Sequence, residues 1–501
     1  MTQLIALRSS GRIPEAVEVC RQITRLVPNS AAAFANLASL VLEAGDADAA
    51  VDAARTAIGL EPIFHGAHVS LATALQERGD VAGAIRHFDR AAQLCPNQPK
   101  IRSNKIYAME FLSGVSPGQL LHEQRQWDVL HGGGPTLCPM GQKPAKSQGN
   151  RKIRIGYVSA FFYHHAEAFF VLPLLESHDR SVFEIHCYSD VGLPDEITNR
   201  HKVVVDHWHE CQQLSHDQLA GQIHRDQIDI LIDLMMHMGR NRAPVFARKP
   251  APVQIAWLAY PSGTGMRAID HRITDPIIDP PGNDNFYSEN SIRLPHCWCC
   301  YDPLSNAPPA MPRPDRPVTF GSLNNPRKLN EQTIRLWARA MQAVPESRIL
   351  LLSISAVQRR HLVEIFSSTG VSPQRVGFVG RMQRNEYLRQ YDRIDIALDP
   401  LPYAGITTTC DALWMGVPVV TLAGQTAAGR AGASILSAAG CAEFVATDAD
   451  QFVAIATSLA NDAVRLHELR SNLREQCERS LLMDHRQFAR DFESAILNAR
   501  S

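Results

Sequence analysis

An α + α/β chain is what this sequence predicts: a superhelix of N-terminal helical repeats followed by two Rossmann-like halves. Three observations carry that prediction. Marker residues recur at a step of 34 over the first hundred positions. A regular alternation of buried-type strands and helical stretches begins at Arg151. A second alternation begins at Val318 and contains a strand, a polar turn and a helix that opens on Thr residues.

The repeat comes first along the chain. Gly11, Gly45 and Gly79 keep the step, as do Pro28, Pro62 and Pro96, then Ala16, Ala50 and Ala84, then Leu7, Val41 and Leu75. Each unit reads as helix, Gly-containing turn, helix and Pro-marked turn, with small Ala residues where two helices approach. The spacing and residue types resemble tetratricopeptide repeats. About three of them fit, which implies a short groove for a peptide or protein partner, or a cap on the next domain. A helical connector follows from Asn104 to His131, with Ser116-Pro117 as a helix start. Repeats and connector thus occupy 1–131. The stretch 132–150, rich in Gly, Pro, Lys and Gln, reads as a linker.

The first α/β half spans 151–302. Its strands are Ile153 to Val158, Phe183 to Tyr188, Ile228 to Leu234 and Val253 to Leu258, with helical stretches such as Ser215 to Arg225 between them. A Pro-rich passage covers 303–317. The second half, 318–501, carries strands at Val318 to Gly321, Ile349 to Leu352, Val376 to Val379, Ile394 to Leu398 and Val417 to Leu422. Two parallel sheets with crossover helices follow, with a cleft between the halves. The helices from Asp450 onward are expected to cross back and pack on the first half.

Composition narrows the function classes. A net charge of −1 over 501 residues gives no sign of nucleic-acid or acidic-membrane binding. The eleven Cys follow no regular framework, which fits a reducing cytoplasm. Cys297-Trp298-Cys299-Cys300 is spaced too tightly for an ordinary zinc site. Arg8 and Arg12 interrupt the first apolar stretch, so no signal peptide is expected. No run of 18 apolar residues is present, so no membrane span is expected.

The segment Asp395 to Thr421 carries the chemistry. It reads as strand, turn, helix, Gly-Val-Pro break and strand. A helix N-terminus presents free N–H groups and the positive end of a dipole. The hydroxyls of Thr407 and Thr408 add donors there, which suits a diphosphate. Asp411, one turn on, is placed to accept hydrogen bonds from a ribose. An ordinary Thr-capped helix satisfies the same local pattern.

Further segments converge on one family: Ile155-Gly156-Tyr157-Val158-Ser159, Arg248 to Gln254, Tyr260-Pro261-Ser262-Gly263-Thr264-Gly265, Phe320 to Lys328 and Tyr403 to Asp411. With its repeats, the chain resembles the O-GlcNAc transferase and SPINDLY group of glycosyltransferases over nearly its whole length. The resemblance implies a GT-B fold and a nucleotide-sugar donor, UDP-GlcNAc. It implies inverting, metal-independent transfer to Ser or Thr hydroxyls of protein acceptors held by the repeats and cleft. Asp46-Ala47-Asp48 and Asp448-Ala449-Asp450 follow no strand and are read as solvated turns.

Residue roles come from the same resemblance. Lys328 matches the lysine on the donor diphosphate, in the context of Asn324 and Asn325, and Asn325 is placed among the donor contacts. Thr407 and Thr408 match the phosphate-binding pair, and Asp411 the ribose-binding acid. His165 matches the histidine after the first strand, which orients the acceptor hydroxyl or assists proton transfer. His237, just past a strand end, is a candidate substrate contact. Gln254 and Tyr260 read as structural. Four departures stand out: Ala166 where the family has Pro, Phe161 and Phe162 where an acid is usual, Tyr387 in place of a histidine over the base, and Ile406 before the Thr pair. Tyr387 still offers a ring for stacking on a nucleobase. Two alternatives remain open: a GDP-fucose donor, as in SPINDLY-type members, and a repeat-based binding scaffold with a degenerate transferase half.

Overall fold

The computed structural model of the protein describes residues 2–141, 151–310 and 317–500. The predicted linker 132–150 lies outside the described residues from 142 on, and the predicted passage 303–317 does so over 311–316.

The repeats are antiparallel helix pairs. Ala31–Glu43 is followed by Ala47–Leu60, and His65–Glu77 by Val81–Leu94. Gly45 and Gly79 join the helices of each pair at φ of 92° and 91°, a backbone state that a side chain strains. The next residue, Asp46 or Asp80, caps the following helix by accepting an N–H from Ala49 at 2.9 Å or Gly83 at 2.8 Å. The Asp46 and Asp448 triplets, expected as solvated turns, are therefore helix caps; Asp448 accepts from the Gln451 N–H at 2.8 Å. Ala50, Ala54 and Ala84 are fully buried and let the helices close on Val51, Leu71, Leu75 and Phe88. Ser116 starts the helix Pro117–His131 with a reciprocal capping box to Gln119.

Two all-parallel sheets follow. The first holds β1 (Ile153–Ser159), β2 (Phe183–Ser189), β3 (His207–Glu210), β4 (Ile230–Asp233), β5 (Val253–Ala256), β6 (His271–Thr274) and β7 (Asn290–Arg293), in the order β3-β2-β1-β4-β5-β6-β7. The second holds β8 (Thr319–Ser322), β9 (Arg348–Leu352), β10 (Val376–Val379), β11 (Ile396–Leu398), β12 (Val419–Leu422) and β13 (Val445–Ala446), in the order β10-β9-β8-β11-β12-β13. The near-continuous apolar runs of the inner strands suit burial on both faces. Strand order reverses between β1 and β4 in one sheet and between β8 and β11 in the other. Ligands of open α/β sheets bind outside the strand C-terminal ends at such points.

The described chain forms two compact units. One joins the residues up to Val115 with Ser305–Gly424 and Glu443–Arg474; the other joins Ser116–Leu304 with Gln425–Ala442 and the chain from Glu475 onward. The repeats thus fold together with the second sheet. Of the C-terminal helices, the last, His485–Arg500, belongs with the first sheet. Its Phe492 ring lies 4.8 Å from that of Trp257, and its Glu493 accepts from the Asp179 N–H at 2.8 Å. Ala449–Asn461 stays with the second sheet. The helix Ala427–Ala438 joins the first sheet, where Ser434 Oγ donates to Asp275 at 2.6 Å.

Candidate active site

At the switch point of the second sheet, β8 and β11 each release a loop. The loop after β11 is shaped by Asp399. Its carboxylate accepts from the Gly405 N–H at 3.0 Å, Thr409 Oγ1 at 3.1 Å and Thr421 Oγ1 at 2.9 Å. Gly405 has no alternative: a Cβ there would stand 2.3 Å from Thr409 Oγ1 and 2.5 Å from Asp399 Oδ1. The helix Thr407–Trp414 begins directly after, and Ile406 at its N-cap supplies no side-chain cap. Its first N–H groups are thus left for another acceptor. Thr408 Oγ1 donates to Asn324 Oδ1 at 2.9 Å, which ties the helix start to the loop after β8.

That loop places Lys328. Its Nζ donates to the Ala404 carbonyl at 2.7 Å and lies 4.1 Å from the centre of the Tyr403 ring. Burial pushes the ammonium down to about 7, against the pull of Asp399. Lysine, glycine turn and Thr-led helix start therefore converge within one unit. Asn325 does not join them through its side-chain oxygen, which accepts from the N–H and Nε of Arg327, both at 3.2 Å. Asn324, which the sequence offered only as context, makes the link to Thr408.

Asp411 is fully buried and its two oxygens accept from Arg384, each at 2.6 Å. The predicted ribose acid thus already holds a guanidinium. Tyr387 stands beside the pair, its hydroxyl 3.0 Å from that of Tyr391, which donates to the Thr408 carbonyl at 3.0 Å.

The other unit carries His165 in the loop after β1. Its Nδ1 accepts the Glu167 N–H at 3.2 Å, and Phe161 stacks on the ring at 4.0 Å. Burial, with Arg240 and His164, pushes this imidazole down to about 4. The ring is therefore neutral near pH 7 with its proton on Nε2, and that nitrogen donates. Glu167 is buried and receives the Ser159 hydroxyl. Burial, reinforced by Asp233, raises its carboxyl to about 8. Asp233 closes β4 and is itself raised to about 6 by burial. The outer oxygens of both carboxyls, Glu167 Oε2 and Asp233 Oδ2, are buried without a hydrogen-bond partner among the described residues. His237 is fully enclosed, its Nε2 donating to the Thr264 carbonyl at 2.8 Å and its ring 5.5 Å from Trp127. It lies past the end of β4, as the sequence suggested, and its described neighbours are Trp127 and the Thr264 carbonyl.

Residues 138–305 and 309–492 match the Glycosyl transferase family 41 description, and residues 2–62 and 35–99 match tetratricopeptide repeats. The chain belongs to glycosyl transferase family 41. It is similar to the probable UDP-N-acetylglucosamine–peptide N-acetylglucosaminyltransferase SPINDLY of Petunia hybrida, at 34% identity over 80% of this chain and 44% of that protein. The UDP-N-acetylglucosamine–peptide N-acetylglucosaminyltransferase of Caenorhabditis elegans is 23% identical over 70% of this chain and 41% of its own. The chain thus spans under half the length of these curated relatives. A mutant O-GlcNAc transferase of Thermobaculum terrenum has the same architecture, with a TM-score of 0.91 and 32% identity over all of this chain and 96% of its own. The arrangement is the GT-B one: repeats, then two Rossmann-like halves. In this family 41 chain the groups missed by sequence reasoning are Asp399, Arg384 and Glu167. Each acts through a partner distant in sequence or through burial. Only the strand-end position of Asp399 was visible beforehand.

Proposed function

We propose that this family 41 chain is an inverting protein O-glycosyltransferase that moves GlcNAc from UDP-GlcNAc to Ser or Thr hydroxyls. The observation that carries the reading is the uncapped start of the Thr407–Trp414 helix beside buried Lys328. In this reading the acceptor oxygen attacks the anomeric carbon from the face opposite the diphosphate. The C1–O bond to phosphate breaks, and UDP leaves with the bonding pair. The growing negative charge falls on the Lys328 ammonium, the Thr407 hydroxyl and the free helix N–H groups, that of Thr408 among them, while the Thr408 hydroxyl stays on Asn324. Lys328, near-neutral in the free protein, takes up a proton as the diphosphate arrives. No metal ion is required for that charge balance. His165 presents Nε2–H, so it orients the acceptor oxygen as a donor, and the acceptor proton passes to a phosphate oxygen of the donor. Tyr387 offers its ring to the base. The tetratricopeptide repeats hold the protein acceptor. All eleven cysteines are free thiols, which supports a cytoplasmic site of action; no described helix is long and apolar enough to cross a membrane.

The second reading is a GDP-fucose donor. It is favoured by the Tyr403-Ala404-Gly405 turn and Thr run, shared in kind with SPINDLY-type members. Calorimetric titration with UDP, GDP, UDP-GlcNAc and GDP-fucose, followed by sugar transfer to candidate acceptor proteins, tests both. Selective UDP binding with GlcNAc transfer supports the first reading. Selective GDP binding replaces it with the second. Donor binding without transfer to any acceptor, or no binding at all, points to a scaffold with a degenerate transferase half.

A further inference from the structure

The outer edge of the first sheet carries a cluster that glycosyl transfer does not use. β2 and β3 pair with His186 beside His207 and Tyr188 beside His209. Alternate residues of a strand share a face, so Glu184, His186 and Tyr188 line one face of β2. His207 and His209 continue it on β3, the edge strand. Glu184 Oε1 lies 3.0 Å from His186 Nε2 and 3.3 Å from His207 Nε2. All three ligand atoms fall within 4.8 Å of one another. A tetrahedral zinc ion with bonds of about 2.0–2.1 Å sets its ligand atoms roughly 3.3 Å apart. We infer that Glu184, His186 and His207 form a binding site for a divalent transition metal of the zinc class, separate from the transfer site.

A second layer supports the three ligands. His186 Nδ1 lies 3.2 Å from His209 Nε2, and His209 Nδ1 lies 3.0 Å from the Gln222 side-chain amide. With Nε2 of His186 on a metal, its proton sits on Nδ1 and is donated to His209 Nε2. The His209 proton then sits on Nδ1 and is accepted by the Gln222 amide oxygen, which the amide presents by turning over. Both ring nitrogens of His186 and of His209 are then satisfied, and no proton need leave the protein. A ligating histidine held this way by its other ring nitrogen is the usual outer-layer arrangement. The Tyr188 ring stacks on His209 at 4.6 Å and its hydroxyl donates to Asp226 at 2.8 Å, which fixes that layer. His207 is half exposed and opens the site to solvent. Carboxylate and two imidazoles suit zinc-class ions over calcium or magnesium. Arg154 opposes the cation: its Nε lies 3.1 Å from the same Glu184 oxygen. A bound ion would join the edge strand to its neighbour.

The test uses the full chain without a histidine tag, stripped with a chelator and titrated with ZnCl2. One zinc per chain is expected. His207→Ala and Glu184→Gln should abolish that stoichiometric uptake while the metal-free melting temperature of His207→Ala stays at the wild-type value, since this side chain is half exposed. His209→Ala should weaken binding about 10–100-fold, and Arg154→Met should tighten it. No zinc uptake by the wild-type chain would overturn the site. So would uptake that His207→Ala and Glu184→Gln leave unchanged, because the ion would then sit on other histidines.

Discussion

Lys328 shows how burial sets the behaviour of a single side chain. In the free protein its ammonium loses its proton near a pH of about 7. A bound diphosphate raises that value again, so donor affinity should be full below about pH 7. Above that it should fall by up to tenfold per unit, with net proton uptake on binding; calorimetry in buffers of different ionisation enthalpy measures both. Lys328→Met should lower turnover by about 10²–10³-fold, the range for removing one charge-stabilising donor, with the melting temperature unchanged or raised. Wild-type turnover in that variant would remove the lysine from the chemistry. Glu167 titrates in the opposite sense. Its folded carboxyl is raised to about 8 from 4.5, so its contribution to stability is fully present below about pH 4.5 and is lost as pH rises through about 8. Between those limits the slope of unfolding free energy against pH should be less favourable than in Glu167→Gln by up to about 1.4 kcal/mol per unit. Parallel denaturant titrations of the two proteins at several pH values would show it; identical slopes would mean that Glu167 is ionised throughout.

At the level of elements, the glycine turn between Asp399 and the Thr407–Trp414 helix is the tightest joint in the second half. Gly405→Ala puts a Cβ within 2.5 Å of Asp399 Oδ1 and within 2.8 Å of Thr408 Oγ1, both fixed by hydrogen bonds. The helix start must move, so nucleotide affinity should fall at least tenfold with little change in far-ultraviolet circular dichroism. An unaltered affinity would separate the helix start from the donor. This joint was legible in the sequence because the local signals agree: a strand, a Gly turn and Thr residues opening a helix. The repeats were legible for a similar reason, since Gly11, Gly45 and Gly79 mark turns at one fixed step, whereas the cap supplied by Asp46 passed for a solvated turn. Partnerships across the chain left no such mark. Arg384 stands on a short helix, Arg384–Arg389, with nothing local to pair it with Asp411, and only the fold joins them. The helix Ala427–Ala438 leaves the second sheet for the first, and its apolar face alone does not name the sheet it covers. Nothing local marks Glu167, which follows two histidines and an alanine, as a buried acid.

For the molecule as a whole, the unit that holds the repeats also holds the second sheet, and the repeats prop the loop that carries Lys328. Glu77 of the repeats pairs with Arg327, the neighbour of Lys328, and both side chains are largely buried. Gln358 donates to the Pro326 carbonyl at 2.8 Å and packs under Gly79 of the repeats. Phe111 stacks on Tyr403 at 4.8 Å, and Lys328 Nζ lies over that same Tyr403 ring. Asp48 accepts from Ser355 Oγ at 2.7 Å. Lys328, proposed to face the diphosphate, is thus backed by an aromatic pair whose inner member comes from the end of the repeat region. Removing one partner of a buried charge pair leaves the other charge uncompensated, a cost of about 3–5 kcal/mol. Deleting residues 1–100 removes both Glu77 and Asp48, so it should abolish nucleotide binding together with any use of protein acceptors. A groove that served acceptors alone would give another result, with donor binding intact and protein glycosylation lost. The finer test is Phe111→Ala, which keeps every repeat. It should weaken nucleotide binding through Tyr403 and Lys328 while a peptide bound by the repeats keeps its affinity. If instead peptide affinity falls and nucleotide affinity holds, the aromatic pair belongs to the groove and not to the donor loop.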